Sequence, residues 1–165
     1  NNTLTAALAT IKENNDIQFI WQTGKYYYPQ VTEAVRAAGE LPNLYVTDFI
    51  KDMAAAYAAS DLVISRAGAG SISEFCLLHK PVVLVPSPNV AEDHQTKNAL
   101  ALVDKQAAIY VKDSEAEAKL MDVALNTVAD DRKLKELSEN IAKLALPDSA
   151  RIIAQEVIKL AEAEN

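Results

Sequence analysis

The chain has 165 residues, of which 50% are hydrophobic, and it carries a formal net charge of −7. This length suits one globular domain with a hydrophobic core, and the acidic balance argues against nucleic acid and against a polybasic membrane patch. The single cysteine, Cys76, excludes an internal disulfide bond and fits a reducing compartment.

Apolar periodicity and helix start signals predict strands and helices that alternate along most of the chain. In chain order we expect a helix over 2–14, a strand over 17–22, a helix over 29–38, a strand over 44–49, a helix over 52–58, a strand over 62–64, a helix over 71–78, a strand over 81–85, a helix over 93–103, a strand over 107–111, and helices over 115–128, 131–144 and 148–163. Strands almost bare of polar residues indicate a Rossmann-like α/β fold, with a parallel sheet covered by helices on both faces.

Four loops follow the carboxyl ends of predicted strands, over 23–25, 49–53, 66–74 and 87–95. In open parallel sheets the ligand binds at this edge. We therefore expect the residues that carry chemistry to lie in these loops, and the rest of the chain to act as a scaffold.

The stretch from Ser60 to Glu74 joins a short strand to a helix through residues with almost no side chain. Ser71 stands at the expected N-cap, and Glu74 follows at the spacing of a capping box. Amides at a helix start bind phosphate, and glycine lets an anion approach the main chain. An ordinary strand-to-helix turn is the alternative, since the glycines match neither the dinucleotide fingerprint nor the P-loop. Arg66 either neutralises phosphate or holds strand-end carbonyls.

Other side chains in the four loops allow two interpretations each. Glu74 closes the capping box or accepts hydrogen bonds from a vicinal diol, as in ribose recognition. Gln95 and His94 open a helix, where they contact sugar hydroxyls or lie in solvent. Ile50 and Met53 cover a flat base or pack in the core.

Several separated motifs resemble the MurG family of GT-B glycosyltransferases, in the family's order and over nearly the whole chain. They are the runs from Val46 to Tyr57, Ser60 to Glu74, Pro81 to Pro86 and Asp93 to Ala99. This family transfers N-acetylglucosamine from UDP-N-acetylglucosamine to the undecaprenyl-linked muramyl-pentapeptide called lipid I, which gives lipid II. The resemblance implies a direct displacement at the anomeric carbon with inversion, without a cofactor.

The resemblance implies binding roles for individual residues in these motifs. The main chain at Ile50, with Met53 beside it, would meet the uracil, and Glu74 would bind the ribose hydroxyls. Gln95, with His94 beside it, would reach the N-acetylglucosamine, although some family members have two adjacent glutamines there. The diphosphate would lie against the helix start formed by Gly68, Ala69, Gly70, Ser71, Ile72 and Ser73.

The chain resembles only the carboxyl-terminal, donor-binding domain of this two-domain family, so we expect residues 1–165 to form that one domain. Relative to the family it lacks a first strand with its glycine-rich loop, and the acceptor-binding domain. The general base, the lipid I contact and most of the contact with the cytoplasmic membrane face would then belong to the other domain. We expect no protein-bound metal, since the sequence offers no Asp-X-Asp motif, and no transfer by this chain alone.

Three alternative functions remain open at this point. They are another GT-B transferase that uses a UDP-sugar, an epimerase of the same fold that acts on UDP-N-acetylglucosamine, and a subunit that completes a split transferase.

Overall fold

A computed structural model describes residues 1–90 and 93–163, so Ala91 and Glu92 of the predicted loop over 87–92 lie outside the described residues. The elements in chain order are α1 (Asn2–Ala6), α2 (Leu8–Glu13), β1 (Phe19–Gln22), α3 (Tyr28–Ala38), β2 (Leu44–Thr47), α4 (Met53–Ala59), β3 (Val63–Ser65), α5 (Ala69–Leu78), β4 (Val82–Leu84), α6 (His94–Val103), β5 (Ile109–Tyr110), a 3-10 turn (Asp113–Glu115), α7 (Ala116–Val128), α8 (Asp131–Ala142) and α9 (Ser149–Ala163).

All strand pairs among the described residues are parallel, which confirms the α/β prediction. β1 pairs with β2, with Phe19 opposite Leu44. β4 lies between β3 and β5, with Val82 opposite Val63. The hydrogen-bond ladder is not continuous, because these strands form a two-stranded and a three-stranded sheet.

Local sequence explains where several helices begin. The Asp52 carboxylate caps α4 by accepting a hydrogen bond from the Ala55 N–H at 2.9 Å. Asp130 caps α8 by accepting from the amides of Arg132 and Lys133 at 3.0 and 3.1 Å. Each cap satisfies amides that have no partner inside the helix.

The core is densest around the three-stranded sheet. Every residue of β4 is buried, as expected for a strand covered on both faces. One buried cluster joins β4 to α5, α6 and α8, and it contains Phe75 and Cys76. Burial raises the pKa of the Cys76 thiol, so this cysteine packs as a small apolar side chain. A second cluster, around Trp21, holds α2 and α3 against β1.

The prediction of one helix over 2–14 was wrong, because the helix breaks at Ala7. The Ala7 N–H donates to the Leu4 carbonyl, a short-turn bond that ends α1. α1 contacts α7 as well as α3, whereas α2 packs on α3. The break lets the two short helices follow different partners.

Candidate functional site

Arg66 follows β3 and fastens the carboxyl ends of the three-stranded sheet. Its Nη1 donates to the carbonyls of Val85 and Pro86 at 3.0 and 3.1 Å, and it also pairs with the Asp113 carboxylate. The structure supports the second role considered for Arg66, which is to hold strand-end carbonyls. The guanidinium holds the loops after β3, β4 and β5 at one edge.

The bend after Arg66 starts α5 earlier than the capping-box spacing predicts. The N-cap is Gly68, in extended conformation, and its carbonyl accepts the first helical bond, from the Ile72 N–H at 3.0 Å. The prediction that Ser71 is the N-cap was therefore wrong, since Ser71 lies in the first turn of the helix.

The early start leaves the amides of Ala69, Gly70 and Ser71 ahead of the first helical bond. Such amides have no acceptor inside the helix and point outward from its positive end. Ala69 and Gly70 are exposed, and Ser71 is half-buried.

The glycines at this bend are not required by the backbone or by packing. Neither Gly68 nor Gly70 is among the residues with positive φ. A Cβ built on either one meets no protein atom within 4 Å. The space next to these two glycines, at the start of α5, is therefore open.

The two residues that follow the bend use their side chains inside the protein. Ile72 packs against the cluster that contains Phe75. The Ser73 hydroxyl donates to the Ala69 carbonyl at 3.0 Å. A ligand at the bend would meet these residues through the main chain only.

Glu74 is exposed on α5 and does not close a capping box. Its Oε2 accepts a hydrogen bond from the Tyr57 hydroxyl of α4 at 3.1 Å. The prediction of a capping box failed because Ser71 is helical and a tertiary partner takes the carboxylate instead. Sequence reasoning missed Tyr57, which carries no motif of its own.

An open groove of about 500 Å³ separates α4 from α5. Met53 lies at its α4 end near the sheet edge, and Glu74 lies on its α5 side. The residues that line it are mostly apolar apart from Glu74 and Lys80: Met53, Ala54, Tyr57, Ala58, Glu74, Leu78 and Lys80. The structure thus brings together Met53 and Glu74, two of the predicted site residues.

Ile50 follows β2 at the same edge and is half-buried. Its N–H donates to the Gln22 Oε1 at the end of β1, at 2.8 Å. A base that used this amide would have to displace Gln22. Gln22 is polar and is the last residue of its strand. This position is the one feature of the sequence that could have indicated that Gln22 belongs to the candidate site.

Gln95 and His94 open α6, as predicted. The Gln95 Oε1 accepts a hydrogen bond from the Ser87 N–H at 2.9 Å. The carbonyl oxygen of this side chain therefore holds the preceding loop in place. His94 is exposed. Asn98, one turn further on, donates from Nδ2 to the Ala67 carbonyl at 3.2 Å and ties α6 to the bend before α5.

Two features are absent from residues 1–90 and 93–163. No group of three or more His, Cys, Asp or Glu side chains in that part of the chain is placed to hold a metal ion. None of its helices is long and apolar enough to cross a membrane.

Helix starts and polar side chains gather at the carboxyl edge of parallel strands, which is typical of the Rossmann-like class of α/β domains. The chain belongs to the family described as the glycosyltransferase family 28 C-terminal domain, whose sequence profile matches residues 1–153.

Curated relatives share this sequence closely. It is 79% identical over 162 residues to the UDP-N-acetylglucosamine–N-acetylmuramyl-(pentapeptide) pyrophosphoryl-undecaprenol N-acetylglucosamine transferase of Bacteroides fragilis, covering 98% of this chain and 43% of that protein. The protein with the same name from Phocaeicola vulgatus is 65% identical, over 98% of this chain and 43% of its own length. The chain spans less than half the length of these relatives.

A solved structure supports the same fold. The crystal structure of Acinetobacter baumannii MurG matches with a TM-score of 0.77 and 25% sequence identity, over 94% of this chain and 48% of that one. The fold is therefore one half of a GT-B architecture.

Proposed function

We propose that this chain binds UDP-N-acetylglucosamine and is the donor-binding half of a glycosyltransferase that converts lipid I to lipid II. One observation carries the proposal. The three amides that open α5 have no acceptor inside the helix, and the space around the neighbouring Gly68 and Gly70 is open although neither the backbone nor the packing requires glycine there. A diphosphate is the part of this donor that such a helix start binds best.

The rest of the donor follows from the position of the phosphates. The ribose would meet Glu74, one turn into α5, because a carboxylate accepts hydrogen bonds from both hydroxyls of a diol. The uracil would lie near Ile50 and Met53 at the end of the groove. It would meet the Ile50 carbonyl directly and the Ile50 amide only after displacing Gln22. His94 and Gln95 at the start of α6 would face the aminosugar.

The chemistry proposed is displacement of UDP by the 4-hydroxyl of the muramyl sugar, with inversion at the anomeric carbon. Negative charge develops on the leaving diphosphate in the transition state. The positive end of α5 would stabilise this charge through preorganised amides. The general base that accepts the hydroxyl proton would come from the acceptor-binding half.

The acceptor-binding half is itself part of the proposal, because the relatives are more than twice as long as this chain. A surface suited to it is α9, whose side chains are exposed through Glu162. Its large apolar side chains include Ile152, Ile153, Val157, Ile158 and Leu160. We assign residues 1–165 to one donor domain, and we place the whole enzyme at the cytoplasmic face of the membrane.

Calorimetric titration of the chain with UDP, UDP-N-acetylglucosamine and UDP-glucose tests the proposal. UDP-N-acetylglucosamine should bind more tightly than UDP-glucose, and Glu74→Ala should weaken UDP binding by roughly 1–3 kcal/mol, the range for hydrogen bonds to a charged group. The matched control is Glu33→Ala, which removes an equal charge from an exposed position of α3 that does not line the groove.

Two results would contradict the proposal. One is no UDP binding by the wild-type chain at millimolar concentration. The other is an equal loss of binding for Glu74→Ala and Glu33→Ala. Release of UDP or interconversion of the free sugar without an acceptor would instead support an epimerase.

A further inference from the structure

Tyr57 is placed to act on Glu74. It lies near the end of α4, and its hydroxyl donates to Glu74 Oε2 at 3.1 Å. Both residues line the groove between α4 and α5. The hydrogen bond therefore crosses the groove at the point where the ribose is placed by the proposed function.

The Tyr57 hydroxyl is held in place before any ligand arrives. Its ring stands edge-on to the Phe75 ring, with the centroids 5.8 Å apart and the planes at 88°. Phe75 is fully buried, so it gives the ring a rigid support. Burial and the neighbouring Glu74 raise the pKa of Tyr57 to about 12, so the hydroxyl keeps its proton and remains a donor at neutral pH.

Glu74 has no comparable support of its own. It is exposed, and an exposed glutamate populates several rotamers, so fixing one of them costs conformational entropy. A hydrogen bond from a rigid donor to one carboxylate oxygen selects the rotamers that keep that contact. The second oxygen, Oε1, then faces a restricted set of directions and remains available as an acceptor.

We propose that Tyr57 is a positioning residue that orients the Glu74 carboxylate for a ribose diol. This inference rests on the proposed function, in which Glu74 binds the ribose. The role proposed for Tyr57 involves no direct contact with the diphosphate or the sugar. It acts through Glu74, so its contribution appears only when both the carboxylate and the ribose hydroxyls are present.

The alternative is that the same hydrogen bond only clamps α4 to α5. A clamp would change the whole groove, so its loss would weaken every nucleotide ligand alike. Orientation of the carboxylate would matter only for a ligand that carries the diol. A nucleotide with both ribose hydroxyls removed therefore separates the two roles.

The experiment measures dissociation constants of UDP and of its dideoxy analogue, which lacks both ribose hydroxyls, for wild-type chain, Tyr57→Phe, Glu74→Ala and the double variant. Tyr57→Phe keeps the ring contact with Phe75 and removes only the donor, and Glu74→Ala removes the acceptor. We expect Tyr57→Phe to weaken UDP binding about five-fold, part of the cost of ordering a glutamate side chain, and to leave binding of the dideoxy analogue unchanged. In the Glu74→Ala background, Tyr57→Phe should have no further effect on UDP binding.

Tyr110→Phe is the matched control. Tyr110 on β5 packs against the same buried cluster as Tyr57 and does not line the groove. It should leave the binding of both ligands unchanged.

Three outcomes overturn the inference. If Tyr57→Phe weakens the binding of UDP and of its dideoxy analogue equally, the hydrogen bond only clamps α4 to α5. If Tyr57→Phe does not weaken UDP binding, the Glu74 carboxylate does not need Tyr57 to orient it. Additive effects of the two substitutions show that Tyr57 acts independently of Glu74. In these cases UDP binding that still depends on Glu74 leaves the proposed function intact, whereas a wild-type chain that binds no UDP overturns both.

Discussion

At the residue scale, the proposed phosphate donors are the main-chain N–H groups that open α5. Most substitutions change the side chain and leave these N–H groups in place. Only proline removes an amide proton. Ala69 is the first residue of α5, a position that accepts proline because its amide has no partner inside the helix. The preceding Gly68 has φ −70° and ψ 141°, which is the conformation that a following proline favours.

Ala69→Pro should therefore keep the helix and delete one phosphate donor. We expect UDP binding to weaken about ten-fold, in line with the loss of one hydrogen bond to a charged group. The free energy of unfolding should stay the same or rise, because proline restricts the unfolded chain. Calorimetry and urea denaturation measure the two quantities.

The control for that substitution lies at the start of α8. Asp131 is also a first helical residue, and it follows Asp130 in extended conformation. Asp131→Pro should leave UDP binding unchanged. Equal UDP affinity for wild-type chain and Ala69→Pro would contradict the assignment of the diphosphate to these amides.

At the scale of secondary-structure elements, Arg66 is the residue that joins strand ends. Its three acceptors follow β4 and β5, so one side chain fixes the loops around the start of α5. Lysine carries its charge on a flexible stem without the planar, pre-organised guanidinium, so it would hold the same acceptors less firmly.

Arg66→Lys should lower the free energy of unfolding by about 1–2 kcal/mol, the loss of one or two hydrogen bonds. Urea denaturation provides the measurement. Arg36→Lys, an exposed position on α3, is the control and should change stability by less than about 0.5 kcal/mol. If the two variants unfold at the same urea concentration, Arg66 does not hold the strand ends.

Much of this element-scale organisation could be predicted from the sequence. The alternation of apolar strands with helices predicted a parallel α/β fold and placed the candidate site at the carboxyl edge. The predicted start of α5 was two residues too late. The reason is that Ser71 and Glu74 have the spacing of a capping box whether or not they form one. The sequence could not show that Glu74 instead meets Tyr57, because this contact depends on how two helices pack.

The remaining contacts of the candidate site could not be predicted from the sequence for the same reason. Gln22 and Ile50 are far apart in sequence and meet only because β1 and β2 pair in parallel. Asn98 meets Ala67 because α6 crosses the bend before α5. A sequence motif records neighbours along the chain, whereas these hydrogen bonds join neighbours across the sheet edge.

At the scale of the whole molecule, β1 and β3 each lie at an edge of their sheet, with backbone groups that point away from the paired strand. The amides of Phe19 and Thr23 donate toward β2, so by alternation the N–H groups of Ile20 and Gln22 point to the opposite edge of β1. The Val63 amide donates toward β4, so that of Ile64 points away from it. Within residues 1–90 and 93–163 no strand pairs with these edges.

We propose that a further strand, supplied by the longer polypeptide typical of the relatives, joins these two edges into one sheet. Such a strand would also cover apolar side chains that are exposed in this chain, including Ile20 at 49% and Ile64 at 36%. Open edges and exposed apolar side chains on adjacent elements are unfavourable in an isolated domain.

Amide hydrogen exchange measures this directly. In the 165-residue chain, the amides of Ile20 and Ile64 should exchange much faster than those of Phe19 and Val63, which are hydrogen-bonded across the sheet. In a polypeptide as long as the relatives, Ile20 and Ile64 should become as protected as their neighbours. If extension leaves their exchange fast, the two sheets are separate in the whole protein as well, because an amide paired in a central strand exchanges only when the sheet opens.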